Sequence, residues 1–363
     1  MSKRIIIAGG GTGGHIFPAI AIANAMKKLD EKTDILFIGA KGKMEMEKVP
    51  LAGYPIKGID IAGFNRSSLM KNILLPYKLL KSFTEVSEIF RSFKPEGVIG
   101  VGGYSSFPVL KYAQTKSIPT FIHESNSFAG KSNMLLGKRA TKVFVSGDGM
   151  EKFFLPKKIS ITGNPIRKEI ADSKITRNEA IRYFKLDPAR KTILVTGGSL
   201  GAKSINEAIA ESITEFSKND LQLIWQTGKP FAENAKEVCE GRRNVWTDDF
   251  ITQMEYAFAA ADIVVSRSGA MAISELSVAK KPVIFVPYPF AAEDHQTANA
   301  KRLVNKNAGM MIKDNEAKEK LMTMLVELAG DTSKQLELKI NISALAVTNA
   351  DEAIAEQIFA MIK

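Results

Sequence analysis

Short apolar, β-branched segments alternate with longer amphipathic segments along most of the chain. One series of predicted strands begins at Arg4–Ala8 and a second begins at Thr192–Thr196. The other predicted strands are residues 35–38, 97–101, 119–122, 142–145, 222–226, 244–246, 262–265 and 282–286. Helical patterns lie between them, for example at Pro18–Leu29, Ser204–Phe216 and Ala270–Ala279. Because this alternation is typical of parallel sheets covered by helices on both faces, the pattern predicts an α/β protein with two doubly wound, Rossmann-like domains.

The boundary between the domains is predicted at the turn-rich segment Thr162–Pro165. We expect an N-terminal domain over residues 1–163, a C-terminal domain over 164–345, and a final helix within 346–363 that could pack on either domain. The net charge of +11 is divided unevenly, since residues 1–163 hold 24 Lys and Arg against 12 Asp and Glu, and residues 164–363 hold 26 against 27. The first domain is therefore expected either to attract anions, such as phosphorylated substrates or acidic lipid headgroups, or to carry this charge only for solubility. Its charges are dispersed, and no run is typical of a nucleic-acid-binding tail.

Composition excludes several classes of protein. Hydrophobic residues make up 45% and charged residues 25% of the chain, which is ordinary for a globular protein. A single cysteine, Cys239, excludes a disulfide framework and a cysteine-rich zinc site. No apolar run approaches the roughly 18 residues of a spanning helix, and no signal-peptide core precedes the first strand. We therefore expect the protein to work in a reducing cytoplasm.

A glycine-rich segment, Gly9–His15, follows the first strand and opens a helix. Glycines there let the backbone approach a ligand closely, and a helix N-terminus favours negative charge. The spacing also fits a dinucleotide-binding loop, but that function needs an acid at the end of the second strand to bind a ribose. Lys41 and Lys43 stand there instead. A nicotinamide cofactor is therefore disfavoured, and we predict no cofactor.

The second domain contains two similar loops. Thr196–Ala202 follows one strand, and Ser266–Ala270 follows another and starts a helix that carries Glu275. Two helix N-termini preceded by small residues suit a diphosphate. A carboxylate one to two turns into the second helix could accept hydrogen bonds from two ribose hydroxyls, although Glu275 could also be a solvated helix residue.

All three histidines lie just beyond predicted strand ends, where open parallel sheets bind ligands. His15 is the best candidate for a general base, because it follows the glycine loop and titrates near neutral pH. His123 precedes Glu124, which could orient a ring or bind a hydroxyl, and His295 precedes Gln296, which could bind a polyol. The spacings are not those of metal ligands, so no metal site is predicted.

The segment from Phe64 to Phe93 has two apolar stripes. One contains Leu75, Leu79, Phe83, Val86, Phe90 and Phe93 and should face the core. The other contains Met70, Ile73, Tyr77 and Leu80 and is bordered by Lys71, Lys78 and Lys81. An apolar surface bordered by lysines is typical of a protein that lies on an anionic membrane. We predict that Ile73, Tyr77 and Leu80 face a membrane, with burial in the core as the alternative.

Seven motifs together resemble the MurG family of bacterial N-acetylglucosaminyltransferases, which act on the lipid-linked muramyl-peptide of the cell wall. They occur in the family's order from residue 4 to about 310 and lie at residues 10–15, 102–104, 123–126, 162–167, 197–202, 266–270 and 295–296, with Glu275 as a further matched position. The resemblance implies the GT-B fold, in which two Rossmann-like domains face a cleft. It also implies an inverting transfer of N-acetylglucosamine from UDP-N-acetylglucosamine to the 4-hydroxyl of undecaprenyl-diphospho-N-acetylmuramoyl-pentapeptide, at the cytoplasmic face of the inner membrane.

The resemblance assigns roles residue by residue. His15 would be the catalytic base. The donor would be bound by Thr12, Gly13, Gly14, Asn126, Arg167, Ser199, Ile251, Ala270, Met271, Ala272, Ile273, Ser274, Glu275 and Gln296. The acceptor would be bound by Gly102, Gly103, Tyr104, His123 and Glu124. Ser125 and Leu200 stand where the family often has glutamine, which leaves their individual contacts open.

Other functions remain open at this point. A GT-B transferase acting on diacylglycerol would share the donor site and the basic apolar face. A UDP-sugar epimerase would share the two Rossmann-like domains without needing a membrane surface, and a non-enzymatic subunit that binds nucleotide sugars at the membrane is a further possibility.

Overall fold

The computed structural model describes residues 3–62 and 75–362. The chain divides into two compact units. The first comprises Met1–Ile166 and Asn349–Lys363, and the second comprises Arg167–Thr348. The chain therefore passes between the units twice, at 166/167 and at 348/349.

The first unit contains a parallel sheet of seven strands in the order β3-β2-β1-β4-β5-β6-β7. The strands are β1 Arg4–Ala8, β2 Asp34–Ala40, β3 Ile56–Ile59, β4 Gly97–Gly100, β5 Thr120–Glu124, β6 Lys142–Val145 and β7 Ile159–Ile161. The helices are α1 Gly13–Leu29, α2 Glu45–Leu51, α3 Leu75–Phe93, α4 Ser106–Thr115 and α5 Lys131–Gly137. Central strands such as β1 and β4 are apolar on both faces because helices cover both sides of the sheet.

The second unit contains a parallel sheet of six strands in the order β10-β9-β8-β11-β12-β13. The strands are β8 Lys191–Thr196, β9 Leu221–Gln226, β10 Val245–Asp248, β11 Ile263–Ser266, β12 Val283–Phe285 and β13 Met310–Met311. The helices are α6 Lys168–Ala171, α7 Arg177–Tyr183, α8 Lys203–Glu211, α9 Ile213–Lys218, α10 Ala232–Cys239, α11 Met254–Ala260, α12 Ala270–Ala279, α13 His295–Val304, α14 Ala317–Gly330 and α15 Thr332–Ser343. The prediction of two doubly wound α/β domains is thus confirmed.

Both sheets bring candidate site loops together at the carboxyl ends of neighbouring strands. In the first unit, β1, β4 and β5 are adjacent, so the segments that follow them lie side by side. In the second unit, β9, β8, β11 and β12 are adjacent and bring together the corresponding loops. These are the edges at which open parallel sheets bind ligands.

The last helix, α16 (Ala350–Met361), returns to the first unit. It packs on α1, and its Ile354 and Ile358 are fully buried in the same core as Ile22 and Met26. Lys28 and Glu352 form an ion pair of 2.7 Å at the surface of this helix pair. Sequence left open which domain this helix would join, and buried apolar contacts with α1 are what bind it to the first.

Within residues 3–62 and 75–362, no helix is both long enough and apolar enough to span a membrane.

Candidate functional site

The first glycine loop joins β1 to α1 and presents His15 in the first turn of that helix. Gly11, with a φ of +87°, adopts a left-handed backbone conformation that glycine tolerates readily. Nδ1 of His15 lies 3.1 Å from the carbonyl oxygen of Gly10. Because a carbonyl can only accept a hydrogen bond, this contact favours the tautomer that carries its proton on Nδ1, in which Nε2 is the basic nitrogen. The ring is partly exposed, so the geometry suits a general base that accepts a proton at Nε2.

The loop after β4 packs directly against the first glycine loop. The N–H of Gly10 donates to the carbonyl of Gly102 over 3.2 Å. A side chain at Gly102 would lie 2.7 Å from Nε2 of His15, and one at Gly103 would lie 2.3 Å from the carbonyl oxygen of Gly10. Tyr104, next in the chain, is 52% exposed. The glycines at 102 and 103 therefore leave the space in which the imidazole of His15 and its loop are placed.

The remaining first-loop candidates surround His15 in sequence. Thr12 is the exposed residue that precedes α1, and its Oγ1 lies 3.4 Å from Nδ1 of His15. Gly13 and Gly14 are the first two residues of the helix and are partly exposed. A helix that begins with two glycines leaves its first N–H groups accessible to a ligand.

His123 differs from His15 in its surroundings, because it is almost fully buried at the end of β5. Burial, together with the nearby charge of His15, lowers the pKa of His123 to about 4, against smaller opposing effects of Gly163 and Asn164. Its Nε2 has no hydrogen-bond partner among the described residues. His123 is thus a neutral, buried ring at physiological pH. Such a ring is better suited to packing beneath a binding loop than to direct contact with a bound substrate.

Glu124 is buried and organises the loop that follows it. Its Oε1 accepts from the backbone N–H and the side chain of Asn126, at 3.1 and 3.3 Å. Its Oε2 accepts from the N–H of Gly130 and from Asn133, at 3.1 and 2.8 Å. Because both oxygens are engaged within this segment, the carboxylate shapes the loop and holds the partly exposed Asn126 in place.

A carboxylate that sequence analysis did not identify lies beneath the first glycine loop. Glu45, the first residue of α2, is 1% exposed. It accepts from the N–H of Gly11 at 2.7 Å and from the N–H of Ala40 at 3.0 Å. Lys41 and Lys43 drew attention to the end of β2, but the acid lies two residues beyond Lys43, on the next helix.

In the second unit, Gln226 connects the loop after β8 to the loop after β10, both of which contain predicted donor-binding residues. Sequence analysis did not identify this residue either. Its amide donates to the carbonyl of Gly198 at 2.9 Å, and its Oε1 accepts from the N–H of Ile251 at 3.0 Å. Ser199 is exposed at the tip of the loop after β8. Ile251 is buried, and its N–H already donates to Gln226. Its carbonyl is therefore the main-chain group that could contact a nucleobase.

Helix α12 begins at the second donor-side loop, and Gly269 precedes it. Ala270, Met271 and Ala272 form a partly exposed first turn with small side chains at two of the three positions. The side chains of two other predicted donor-binding residues on this helix are already engaged within the protein. Ile273 is buried in the apolar core, and the hydroxyl of Ser274 donates to the carbonyl of Ala270 at 3.1 Å. Only their backbone groups would be available to a ligand of this turn.

Glu275 forms a bidentate ion pair with Arg167, with distances of 2.8 and 3.0 Å. The two side chains are 12% and 31% exposed. Burial acts most strongly on the pKa of Arg167 and lowers it, but the hydrogen bond and charge of Glu275 outweigh this effect and raise it on balance. The pair brings together two predicted donor-binding residues that are 108 positions apart in the chain. A ribose would have to share the carboxylate with Arg167.

Gln296, in the first turn of α13, accepts at Oε1 from the N–H of Tyr288 over 3.0 Å. The hydroxyl of Ser268 donates to its backbone carbonyl at 2.8 Å. Gln296 therefore fixes the loop after β12 against the loop after β11, and its amide nitrogen could still donate to a sugar hydroxyl.

The second apolar stripe is described in part, because Met70, Lys71 and Ile73 lie outside the described residues. Tyr77 and Leu80, on α3, are 64% and 70% exposed, whereas Val86 and Phe90 of the first stripe are buried. Lys78 and Lys81 both pair with Asp60, at 3.5 and 2.9 Å. This cluster therefore keeps a net charge of only +1 next to the exposed apolar residues.

Within residues 3–62 and 75–362, no three or more His, Cys, Asp or Glu side chains form a group that could hold a metal ion.

Comparison with known proteins identifies both halves of the chain. Residues 5–145 match the glycosyltransferase family 28 N-terminal domain, and residues 192–358 match its C-terminal domain. A relative from Phocaeicola vulgatus, "UDP-N-acetylglucosamine--N-acetylmuramyl-(pentapeptide) pyrophosphoryl-undecaprenol N-acetylglucosamine transferase", is 49% identical over 98% of this chain and 96% of its own length. A protein of the same name from Parabacteroides distasonis is 47% identical over 99% of this chain and 98% of its own length.

A solved structure supports the same assignment. The crystal structure of Acinetobacter baumannii MurG is similar with a TM-score of 0.79 at 26% identity, over 99% of this chain and 100% of that one. This likeness confirms the expected GT-B fold class. The chain belongs to glycosyltransferase family 28 and, within it, to the family of these undecaprenol-linked N-acetylglucosamine transferases.

Proposed function

We propose that this protein transfers N-acetylglucosamine from UDP-N-acetylglucosamine to undecaprenyl-diphospho-N-acetylmuramoyl-pentapeptide, the step that converts lipid I to lipid II in peptidoglycan synthesis. The observation that carries the proposal is the 49% identity to a transferase of that name over nearly the whole length of both chains. The first unit carries a candidate base, and the second carries loops suited to a nucleotide diphosphate; each of these features supports such a transfer.

On the donor side, the exposed Ser199 and the first turn of α12 would bind the diphosphate. The N–H groups at the start of this ten-residue helix carry partial positive charge. Glu275, held by Arg167, would accept from the ribose hydroxyls, and the carbonyl of Ile251 would contact the uracil. Gln296 would bind the sugar through its free amide nitrogen.

The reaction would be a single displacement at the anomeric carbon. Nε2 of His15 accepts the proton of the acceptor's 4-hydroxyl while that oxygen forms a bond to the anomeric carbon. The bond between this carbon and the diphosphate oxygen breaks, UDP leaves with the electron pair, and the α-linked sugar becomes β-linked. Helix and main-chain N–H groups would stabilise the charge that develops on the leaving diphosphate.

On the acceptor side, the loop at Gly102, Gly103 and Tyr104 borders His15 and would bind the muramyl diphosphate. His123 and Glu124 would support this pocket from below, because both are buried. The basic composition of residues 1–163 would favour an anionic acceptor of this kind.

The acceptor's prenyl chain stays in the bilayer, so we also propose that the first unit docks on the cytoplasmic face of the inner membrane. The exposed Tyr77 and Leu80 support this surface. Replacing both with serine should weaken binding to anionic phospholipid vesicles at least about tenfold, because two exposed apolar side chains are lost from the contact. Sedimentation with vesicles measures this. Replacing Leu155 and Ile161, which are exposed elsewhere on this unit, is the matched control, and equal losses in both variants would contradict the assignment.

A panel of donors and acceptors tests the proposed reaction. The protein is incubated with UDP-N-acetylglucosamine, UDP-glucose or UDP-N-acetylgalactosamine, together with a short-prenyl lipid I analogue or diacylglycerol. Rapid UDP release is expected only with UDP-N-acetylglucosamine and the lipid I analogue. Transfer to diacylglycerol would indicate a glycolipid synthase, and conversion of the donor without an acceptor would indicate an epimerase.

Two variants test the assigned roles within this assay. His15→Ala should lower kcat by about 10²- to 10⁴-fold, the range typical of losing a general base, with little change in the donor KM. Glu275→Ala should instead raise the donor KM by about 10- to 100-fold, as expected for losing a charged hydrogen-bond acceptor. Glu319→Ala, at an exposed position on α14, is the control for the second variant. Near-normal turnover of the first variant would remove His15 as the base.

A further inference from the structure

The Gly10–Gly11 peptide lies between two ionisable side chains. Its N–H, on Gly11, donates to Oε2 of Glu45 over 2.7 Å. Its carbonyl, on Gly10, accepts from Nδ1 of His15 over 3.1 Å. A single planar, polarisable amide therefore connects a carboxylate to an imidazole.

The surroundings of Glu45 are built around its carboxylate. A side chain at Gly10 would lie 2.2 Å from Cδ of Glu45, and one at Gly39 would lie 2.5 Å from its Cγ. The second oxygen, Oε1, accepts from the N–H of Ala40 at 3.0 Å. Glycines on two different segments thus leave room for the carboxylate to reach the loop.

Burying this acid has an energetic cost that an ordinary structural residue would avoid. Glu45 is 1% exposed, and no described Lys or Arg forms an ion pair with it. Two backbone N–H groups and the start of α2 are its stabilising partners. One of these two N–H groups belongs to the Gly10–Gly11 peptide, whose carbonyl is the hydrogen-bond acceptor of His15. The buried carboxylate is therefore bound directly to the peptide that contacts His15.

We propose that Glu45 is a positioning residue that acts on His15 through the Gly10–Gly11 peptide. The carboxylate accepts from the amide N–H, which polarises the amide and makes the Gly10 carbonyl a stronger acceptor. That carbonyl then holds the neutral ring as the Nδ1–H tautomer, in which Nε2 is the basic nitrogen. The proposal rests on the proposed function, since it gives His15 the form that a base requires.

The tautomer of His15 can be measured directly, because the protein has only three histidines. Long-range ¹H–¹⁵N spectra of the full-length protein, assigned with single His→Gln variants, report which nitrogen of each ring carries the proton. Above the pH at which the ring titrates, we expect His15 to be protonated on Nδ1. In Glu45→Gln, the ratio of the Nδ1–H to the Nε2–H form should fall at least about fivefold, because the amide loses its charged partner.

Kinetics separate positioning from general loss of structure. Glu45→Gln should lower kcat several-fold, by no more than the factor by which the tautomer ratio falls and far less than loss of the base outright, and leave the KM for UDP-N-acetylglucosamine within about twofold. Glu47→Gln, an exposed position on the same helix, is the matched control and should change neither readout. If Glu45→Gln does not fold, Glu45→Asp replaces it, with a smaller shift expected because aspartate keeps the negative charge and only moves it away from the Gly11 N–H.

An unchanged tautomer ratio in the Glu45 variant would overturn the proposal, even if kcat fell, because Glu45 would then act only on the structure. A wild-type ring protonated on Nε2 would overturn it as well. Turnover of His15→Gln tests the proposed function separately. Near-normal turnover of that variant would remove His15 as the base whatever the tautomer result.

Discussion

Burial of His123 makes a quantitative prediction about acid stability. Its pKa is lowered from 6.5 to about 4 in the folded protein, chiefly by burial. Between these values the unfolded chain binds a proton that the folded protein does not, so stability falls as the pH is lowered from 6.5 and levels off below 4. The full difference corresponds to about 3 kcal/mol, and about 2 kcal/mol of it should already be lost at pH 5.

Hydrogen exchange in β5, measured by mass spectrometry at pH 7.5 and pH 5, tests this magnitude. After correction for the intrinsic exchange rate, protection of the slowest amides should fall about 30-fold more in the wild type than in His123→Gln, because about 2 kcal/mol corresponds to that ratio. His295→Gln makes the same chemical change in the second unit and should behave like the wild type. Equal losses in the wild type and His123→Gln, or titration of the His123 ring near pH 6.5, would refute the reasoning.

Two further predictions concern stability. Arg167→Ala leaves the carboxylate of Glu275 without its guanidinium partner. Because the pair is partly buried, we expect the free energy of unfolding to fall by about 2 kcal/mol, between the values typical of exposed and of fully buried pairs. Urea unfolding followed by tryptophan fluorescence measures it, since both tryptophans lie in the second unit, and a loss under about 0.5 kcal/mol would contradict the estimate. Gly103→Ala should lower the free energy of unfolding of the first unit, measured by hydrogen exchange, by at least about 2 kcal/mol. The reason is that its φ is +85° and a Cβ would meet the Gly10 carbonyl oxygen at 2.3 Å. Gly53→Ala, with the same φ and open space, should cost only about 1 kcal/mol, and equal costs would show that the contact does not matter.

The sequence predicts the central strands well because their apolar, β-branched runs are required by burial on both faces. The strands it misses are β3, β7 and β13, which all lie at sheet edges and have two to four residues. Such short edge strands need no continuous apolar run. Their pairing depends on the neighbouring strand rather than on a local pattern.

The candidate site shows a similar division. The glycine loops and His15 are recognisable because turn geometry and chemistry occur in one short segment. Glu45 and Gln226 are not, since each acts on a loop that is distant in sequence, 34 and 25 positions away for the bonded residues. Glu124 is predicted to bind the acceptor, and the folded arrangement adds that its carboxylate accepts from Asn126 and Gly130 of the loop that follows it and from Asn133 of α5.

The structure of the reaction product tests the central claim most directly. The protein is incubated with UDP-N-acetylglucosamine and a short-prenyl lipid I analogue, and the purified product is analysed by mass spectrometry and by NMR of its anomeric proton. The account predicts one added N-acetylhexosamine, β-linked to the 4-hydroxyl of the muramyl sugar, with one UDP released for each sugar transferred. An unchanged acceptor alongside an epimerised donor, or an α-linked product, would contradict it.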